Sequence, residues 1–307
     1  MSSWLAELRD PVPFALVDVF GSSPLSGNPL AVVDACELGG EGPPPRWMRQ
    51  VAREMNQAET TFVLPAGSGG AHRRLRSFTA GGVEVFGAGH NALGAWWWLL
   101  ATGRVPRPDD GVIVQEIGDR LLEVRVGDSG RLTMAQTAAA FGAEAEPSAV
   151  AAAVGLAPED LDPAVPPRVV GTGADHLMVG VASDAALDAA AVDKKALVDL
   201  ARPVGAQGVY LAVVGDRRPV ATTSARFFNP GSGLDEDPAT GSAAGPLAAY
   251  LAHLGILDPT GELLVHQGES MQRPSTIAAF AGAGGEVTVS GSAVLSAQGR
   301  LCGPSRD

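Results

Sequence analysis

Apolar positions along the 307-residue chain mostly alternate with a period of two, broken by one amphipathic stretch and two runs that are apolar all round. Residues 14–20 and 29–33 read as strands joined by a turn rich in Gly, Ser, Pro and Asn, a hairpin-like opening. Residues 46–56 carry Trp47, Met48, Val51, Ala52 and Met55 at helical spacing and predict an amphipathic helix. Strands follow over 60–64, 73–79 and 83–86. A wholly apolar run over 92–101 then predicts a buried helix ending near Gly103. Strands over 112–117 and 121–126 turn at Gly118-Asp119. The pattern changes around 127–130, the candidate crossover between two lobes.

Beyond it, 132–136, 169–171, 177–181, 209–214 and 221–228 read as strands, and 149–154 and 185–201 as peripheral helices. An acidic turn (Asp235, Glu236, Asp237, Pro238) leads through Thr240, Gly241 and Ser242 into the second apolar run, a buried helix reaching Leu254. Short strands over 263–267, 276–280, 287–290 and 293–296 close the chain. The alanine-rich tract from Ala135 to Ala153 reads as surface and helix filler. Strands in succession around single helices do not follow strict βαβ alternation, so the expected class is α+β, with mixed, largely antiparallel sheets around one central helix per lobe.

The two apolar runs are approached in the same way. Arg76 and Phe78 recur as Arg226 and Phe228 at an offset of 150, and Glu84 and Gly89 recur as Glu236 and Gly241 at an offset of 152. This predicts an internal duplication, with residues 1–127 as one lobe, completed by a strand from 286–307, and 128–285 as the other. Each lobe would aim a glycine-led helix start at a shared cleft. The first turn of a helix has amides without intrahelical partners and the positive end of the dipole, so each start is a seat for a carboxylate or phosphate.

Composition narrows the function. A formal charge of −12 disfavours general binding of nucleic acid or anionic membrane, which needs a basic surface, but leaves room for a small anionic metabolite. Cys36 and Cys302 fit no metal or redox spacing. The first residues have neither a basic start nor an apolar stretch of signal length, and the 92–101 run is too short to span a bilayer. A cytoplasmic protein without metal or cofactor is expected.

Glu59 lies between the amphipathic helix and an apolar strand, where burial can bring a carboxyl toward neutrality for proton transfer. An ordinary strand-edge glutamate is the competing reading. His90, beside Gly89 at a helix start, is expected to be neutral because the dipole disfavours imidazolium. Asp237, just upstream of the second helix, can orient a substrate or relay a proton, or simply complement the helix dipole. His72, His176, His253 and His266 read as structural. Two alternatives use the same residues. Gly87-Ala88-Gly89-His90-Asn91-Ala92 satisfies a dinucleotide fingerprint, with Glu116 further on, and would make the protein an NAD(P)-binding oxidoreductase. His90, Asp237 and Ser242 have the residue types of a nucleophilic triad, without the Gly-X-Ser-X-Gly elbow.

At these residues the sequence resembles the PhzF-like family, named after a phenazine-biosynthesis isomerase and related in fold to diaminopimelate epimerase. The matching motifs are Asp18-Val19-Phe20 with Gly27-Asn28-Pro29, Ala58-Glu59-Thr60 with Phe62-Val63, and Arg76-x-Phe78-Thr79. They continue through Gly89-His90, Glu236-Asp237-Pro238-Ala239-Thr240-Gly241-Ser242, and Gln267-Gly268 with Arg273-Pro274-Ser275. The resemblance implies two pseudo-symmetric lobes, each a β-barrel-like sheet around a central helix, an active site in the cleft, and a homodimer. It implies Glu59, His90 and Asp237 as catalytic residues, and Gly89, Gly241 and Ser242 as substrate-binding ones; Asn91, next to His90, is a further substrate-binding candidate. Diaminopimelate-epimerase-like racemases carry two cysteines beside the helix-start glycines. Ala88 and Thr240 hold those places here, which excludes two-thiol racemisation. Ala80-Gly81-Gly82 and Asn91 depart from the family pattern. The expected activity is a cofactor-independent isomerase moving a proton within a carboxylate-bearing metabolite, in phenazine biosynthesis or another pathway. A binding protein without turnover is the remaining alternative.

Overall fold

The computed structural model describes residues 11–39, 42–67, 69–215, 220–258 and 261–304. It divides into two compact units, one running to Met134 and resuming at Ser292, the other Ala135–Gly291.

In the first unit, β1 (Val12–Val19) and β2 (Asn28–Asp34) form an antiparallel pair. The helix α1 (Pro45–Met55) leads to β3 (Glu59–Leu64), which lies parallel to β2 and antiparallel to β4 (Arg73–Thr79). A two-residue β5 (Glu84–Val85) folds back on β4, and α2 (His90–Ala101) follows. β6 (Val112–Ile117) pairs parallel with β4, then antiparallel with β7 (Arg120–Val126), which pairs with β8 (Leu132–Gln136). The change of pattern at 127–130 is the β7–β8 hairpin turn, closed by Gly127 N–H donating to Arg131 O, and the unit boundary falls later.

The two faces of this sheet are covered differently. On α1, Met48 and Ala52 point into a cluster with Phe62, Leu64 and Phe78. α2 packs against β1, β2 and β3 and buries Leu93, Trp96, Trp98 and Leu99, each side chain contributing roughly 1.5–3 kcal/mol of transfer free energy. Gly94 allows the close approach: a Cβ there would lie 2.6 Å from both Leu30 and Val19 side chains. Trp96 stays satisfied by donating its indole N–H to Gln115 Oε1 at 2.7 Å.

The second unit opens with β9 (Ala140–Glu144), α3 (Pro147–Val154), β10 (Arg168–Gly171) and β11 (Asp175–Gly180). Next come α4 (Asp184–Ala189), α5 (Lys194–Val204), β12 (Gly208–Val214), β13 (Val220–Asn229) and β14 (Leu234–Asp237). The buried helix α6 (Gly241–His253) is followed by β15 (Glu262–Gln267), β16 (Ser275–Ala281) and β17 (Val287–Gly291). The sheet runs β9-β10-β11-β12-β13-β15-β16-β17, parallel at β11–β12 and β13–β15 and antiparallel elsewhere. The last strand, β18 (Ala293–Leu301), pairs antiparallel with β1. The first unit therefore runs β18-β1-β2-β3-β4-β6-β7-β8, with parallel pairs at the same two places. The duplication read from the pairs Arg76/Arg226, Phe78/Phe228, Glu84/Glu236 and Gly89/Gly241 extends to every strand.

Three local readings change. The span 185–201 is two helices, because Asp193 caps α5 by accepting the Ala196 amide at 3.0 Å. The acidic turn at 235–238 is partly a strand, β14, since Glu236 has a guanidinium partner and is not forced toward solvent. The alanine-rich tract contains β9, which takes beside β10 the place that β18 takes beside β1. Among the described residues no helix is long and apolar enough to cross a membrane.

Candidate active site

Glu59 opens β3, half-buried, opposite Thr79 and alongside Leu30. Side chains two apart on a strand share a face, so Thr61 points the same way as Glu59. Thr61 Oγ1 lies 2.9 Å from Ser77 Oγ, and Ser77 Oγ accepts Nδ2 of Asn91 at 3.1 Å. All three are buried. This chain of hydroxyls and amide ties the face of β3 that carries Glu59 to the start of α2, where His90 sits.

Asn91 secures that start. Its Oδ1 accepts the Gly89 amide at 2.7 Å and the Ala92 amide at 2.9 Å, while Nδ2 also donates to Gly87 O at 2.9 Å. The Asn91 side chain and the Gly89 amide are therefore bonded within the protein. The amides of His90 and Asn91, the first two of α2, have no partner within the chain among the described residues. Burial keeps His90 neutral, beside the expected effect of the helix dipole. Burial lowers its pKa from 6.5 to about 4, and its Nε2 is buried without a hydrogen bond.

In the second unit Asp237, 7% exposed, ends β14 and accepts a hydrogen bond from the Thr240 hydroxyl. Thr240 precedes α6, and its amide donates to Gln267 Oε1 at 3.2 Å. Gln267 is the hub. Its Oε1 also accepts the Tyr210 hydroxyl at 2.9 Å, and its Nε2 donates to Asp237 O at 2.7 Å and Thr240 Oγ1 at 3.0 Å. Burial, then the charge of Asp237, raises the Tyr210 pKa, so the phenol remains a donor. The amides of Gly241 and Ser242 have no partner within the chain among the described residues, as at the start of α2. Ser242 Oγ lies 3.3 Å from His176 Nε2.

Both helix starts are braced by the same ion pair. Arg76 holds Glu84 through two bonds of 2.6 and 2.8 Å, and Arg226 holds Glu236 through two of 2.8 and 2.9 Å. Burial raises the Glu236 pKa, but its bonds to Arg226 and Ser270 outweigh that and leave it below the ordinary value. Such bidentate pairs fix geometry as well as charge.

Thr61, Ser77 and Tyr210 look like ordinary strand residues in the sequence and His176 reads there as structural, so none of the four stands out as part of the site. Gln267 was noticed only as part of a motif. The dinucleotide reading fails on context: the strand running into Gly87-x-Gly89 is β5, a two-residue stub antiparallel to β4, where the fingerprint requires the first strand of a parallel βαβ unit. Glu116 instead accepts the Gly67 amide at 3.0 Å. The nearest histidine ring to Ser242 in hydrogen-bond terms is His176, whose Nδ1 is buried without a partner, so no carboxylate completes a triad there. Cys36 is half-buried with its thiol pushed up to about 12 by burial and Asp34, and Cys302 is exposed on the last segment; neither lies at the start of α2 or α6.

The chain matches the model of the phenazine biosynthesis-like protein family over residues 17–299. It is 35% identical over 295 residues to a trans-2,3-dihydro-3-hydroxyanthranilate isomerase of Pseudomonas aeruginosa, covering 94% of this chain and 98% of the relative. It is 30% identical to an uncharacterised isomerase of Escherichia coli, covering 91% and 94%. Among solved structures, a predicted epimerase from Pseudomonas aeruginosa superposes with a TM-score of 0.76 at 34% identity, over 95% of this chain and 100% of the other. A PhzF-family phenazine biosynthesis protein from Bacillus anthracis shares the fold with a TM-score of 0.80 at 23% identity, over 95% and 99%. A hydroxyproline epimerase from Agrobacterium vitis shares the fold at 0.60 and 11%, over 95% and 91%. The chain belongs to the phenazine biosynthesis-like, PhzF-type family and is an isomerase.

Proposed function

We propose that the protein moves a proton within a small, conjugated, carboxylate-bearing metabolite, with Glu59 as the only acid and base. The observation that carries this reading is an asymmetry between duplicated units. Glu59 opens β3, whereas Gly208 opens the corresponding strand β12 and has no room for a side chain. One carboxyl can take a proton from one carbon and return it to another on the same face of the substrate.

The relatives named trans-2,3-dihydro-3-hydroxyanthranilate isomerase support a substrate of that class. A partly reduced anthranilate ring carries a carboxylate conjugated with its remaining double bonds, so loss of a neighbouring proton spreads negative charge toward that carboxylate. The open amides at each helix start, those of His90 and Asn91 in one unit and those of Gly241 and Ser242 in the other, are each suited to hold a carboxylate. Neutral His90 supplies one further hydrogen bond without competing for the proton, and Asp237 is a second polar anchor. In this reading the enzyme is a cytoplasmic homodimer that uses no cofactor.

The test is turnover of trans-2,3-dihydro-3-hydroxyanthranilate by the purified protein with nothing added, followed by chromatography and mass spectrometry. An isomer of unchanged mass supports the assignment. Saturable binding of that compound with no product overturns it in favour of a binding protein.

A further inference from the structure

The hydrogen-bond network around α6 leaves one polar group unused. His176, on β11, is 3% exposed and stands edge-on to Phe227, with ring centroids 4.9 Å apart and planes at 83°. Its Nε2 lies 3.3 Å from Ser242 Oγ, and its Nδ1 is buried with no hydrogen-bond partner. Burial lowers its pKa to about 4, so the ring is neutral and has a single N–H.

Where that proton sits decides what Ser242 can do. On Nδ1 it would be a buried donor without an acceptor, and orphaned buried N–H groups are the rarest kind of unsatisfied group. The ring would then accept from the serine, the arrangement of a nucleophile. On Nε2 it has a partner at once, and only a bare lone pair is left over at Nδ1. The serine hydrogen is then turned away from the ring.

We propose that His176 is a positioning residue that donates Nε2–H to Ser242 Oγ and so presents the Ser242 hydroxyl, beside the open amides of Gly241 and Ser242, as a third donor to an anionic group. The identity of that group as a substrate carboxylate rests on the function proposed above. The tautomer does not. Ser242 becomes an anion ligand by this contact, and its likeness to a triad serine is lost.

The experiment has two arms on the full chain. Long-range ¹H–¹⁵N correlation of histidine-labelled protein at neutral pH, with His176 assigned through its loss in His176→Gln, should show the Nε2–H pattern. An Nδ1–H pattern overturns the proposal whatever the binding arm shows. Titration with 3-hydroxyanthranilate, an aromatic carboxylate that needs no turnover, should weaken about tenfold in Ser242→Ala and in His176→Phe. It should weaken no further in the double variant and recover to within threefold in His176→Gln, whose amide can also donate. Multiplying losses in the double variant, or no loss in Ser242→Ala, overturn it. An Nε2–H pattern with the expected binding losses but no isomerase activity would sustain this proposal and remove only the proposed function.

Discussion

Glu59 and Gly208 hold the same place in two copies of one fold: each begins the fourth strand of its sheet, one with a carboxyl and the other with no side chain. A Cβ on Gly208 would lie 2.5 Å from the Phe227 ring and 2.9 Å from Phe228 O. Duplication supplied two helix starts and two arginine–glutamate braces, but packing allows an acid in only one copy.

Gly208→Ala is expected to lower stability by about 1–3 kcal/mol, since the ring and a carbonyl must both give way. Urea denaturation measures it. An unchanged midpoint would show that a side chain fits there, and that the single-acid asymmetry is not enforced by packing.

Asn91→Ala removes four hydrogen bonds and leaves the Ser77 hydroxyl and the Gly89 amide without this partner. A loss of roughly 1–3 kcal/mol is expected, with weaker ligand binding because the turn before α2 loosens. Unaltered hydrogen exchange at Gly87 and Gly89 would contradict the pinning role.

Histidine burial sets an acid limit. His176 has a folded-state pKa near 4 against 6.5 when unfolded, so below pH 6.5 the unfolded chain binds the proton that the folded one refuses. Stability is full above pH 6.5 and is lost as pH falls toward 4, by roughly 3 kcal/mol from this residue when the shift is fully expressed. His90 acts in the same direction. Denaturation at several pH values should give a shallower acid loss in His176→Gln than in the parent chain, and equal slopes would refute the cause.

The sheets and both central helices were legible because alternation and all-apolar runs are direct imprints of burial. β9 was not, since all five of its residues are exposed and its alanines carry no alternation. The helix starts and Glu59 were legible because glycine and acid stand out beside apolar runs. The connectors were hidden. Thr61, Ser77 and Tyr210 sit at ordinary strand positions, and only the folded register sets Thr61 opposite Ser77 or brings Gln267 to Thr240. His176 was read as structural because nothing near it in sequence is Ser242. The split between α4 and α5 turned on one capping carboxyl, Asp193, in a stretch otherwise favourable to helix.

The most direct test of a single acid–base residue is hydrogen exchange during turnover. The parent chain and Glu59→Gln are incubated with trans-2,3-dihydro-3-hydroxyanthranilate in deuterated water, with 3-hydroxyanthranilate binding measured in parallel. The parent should deliver isomer carrying solvent deuterium. Glu59→Gln should lose about 10²–10⁴-fold of both turnover and incorporation while binding the aromatic carboxylate within a few-fold of the parent. Undiminished incorporation by Glu59→Gln would contradict the account.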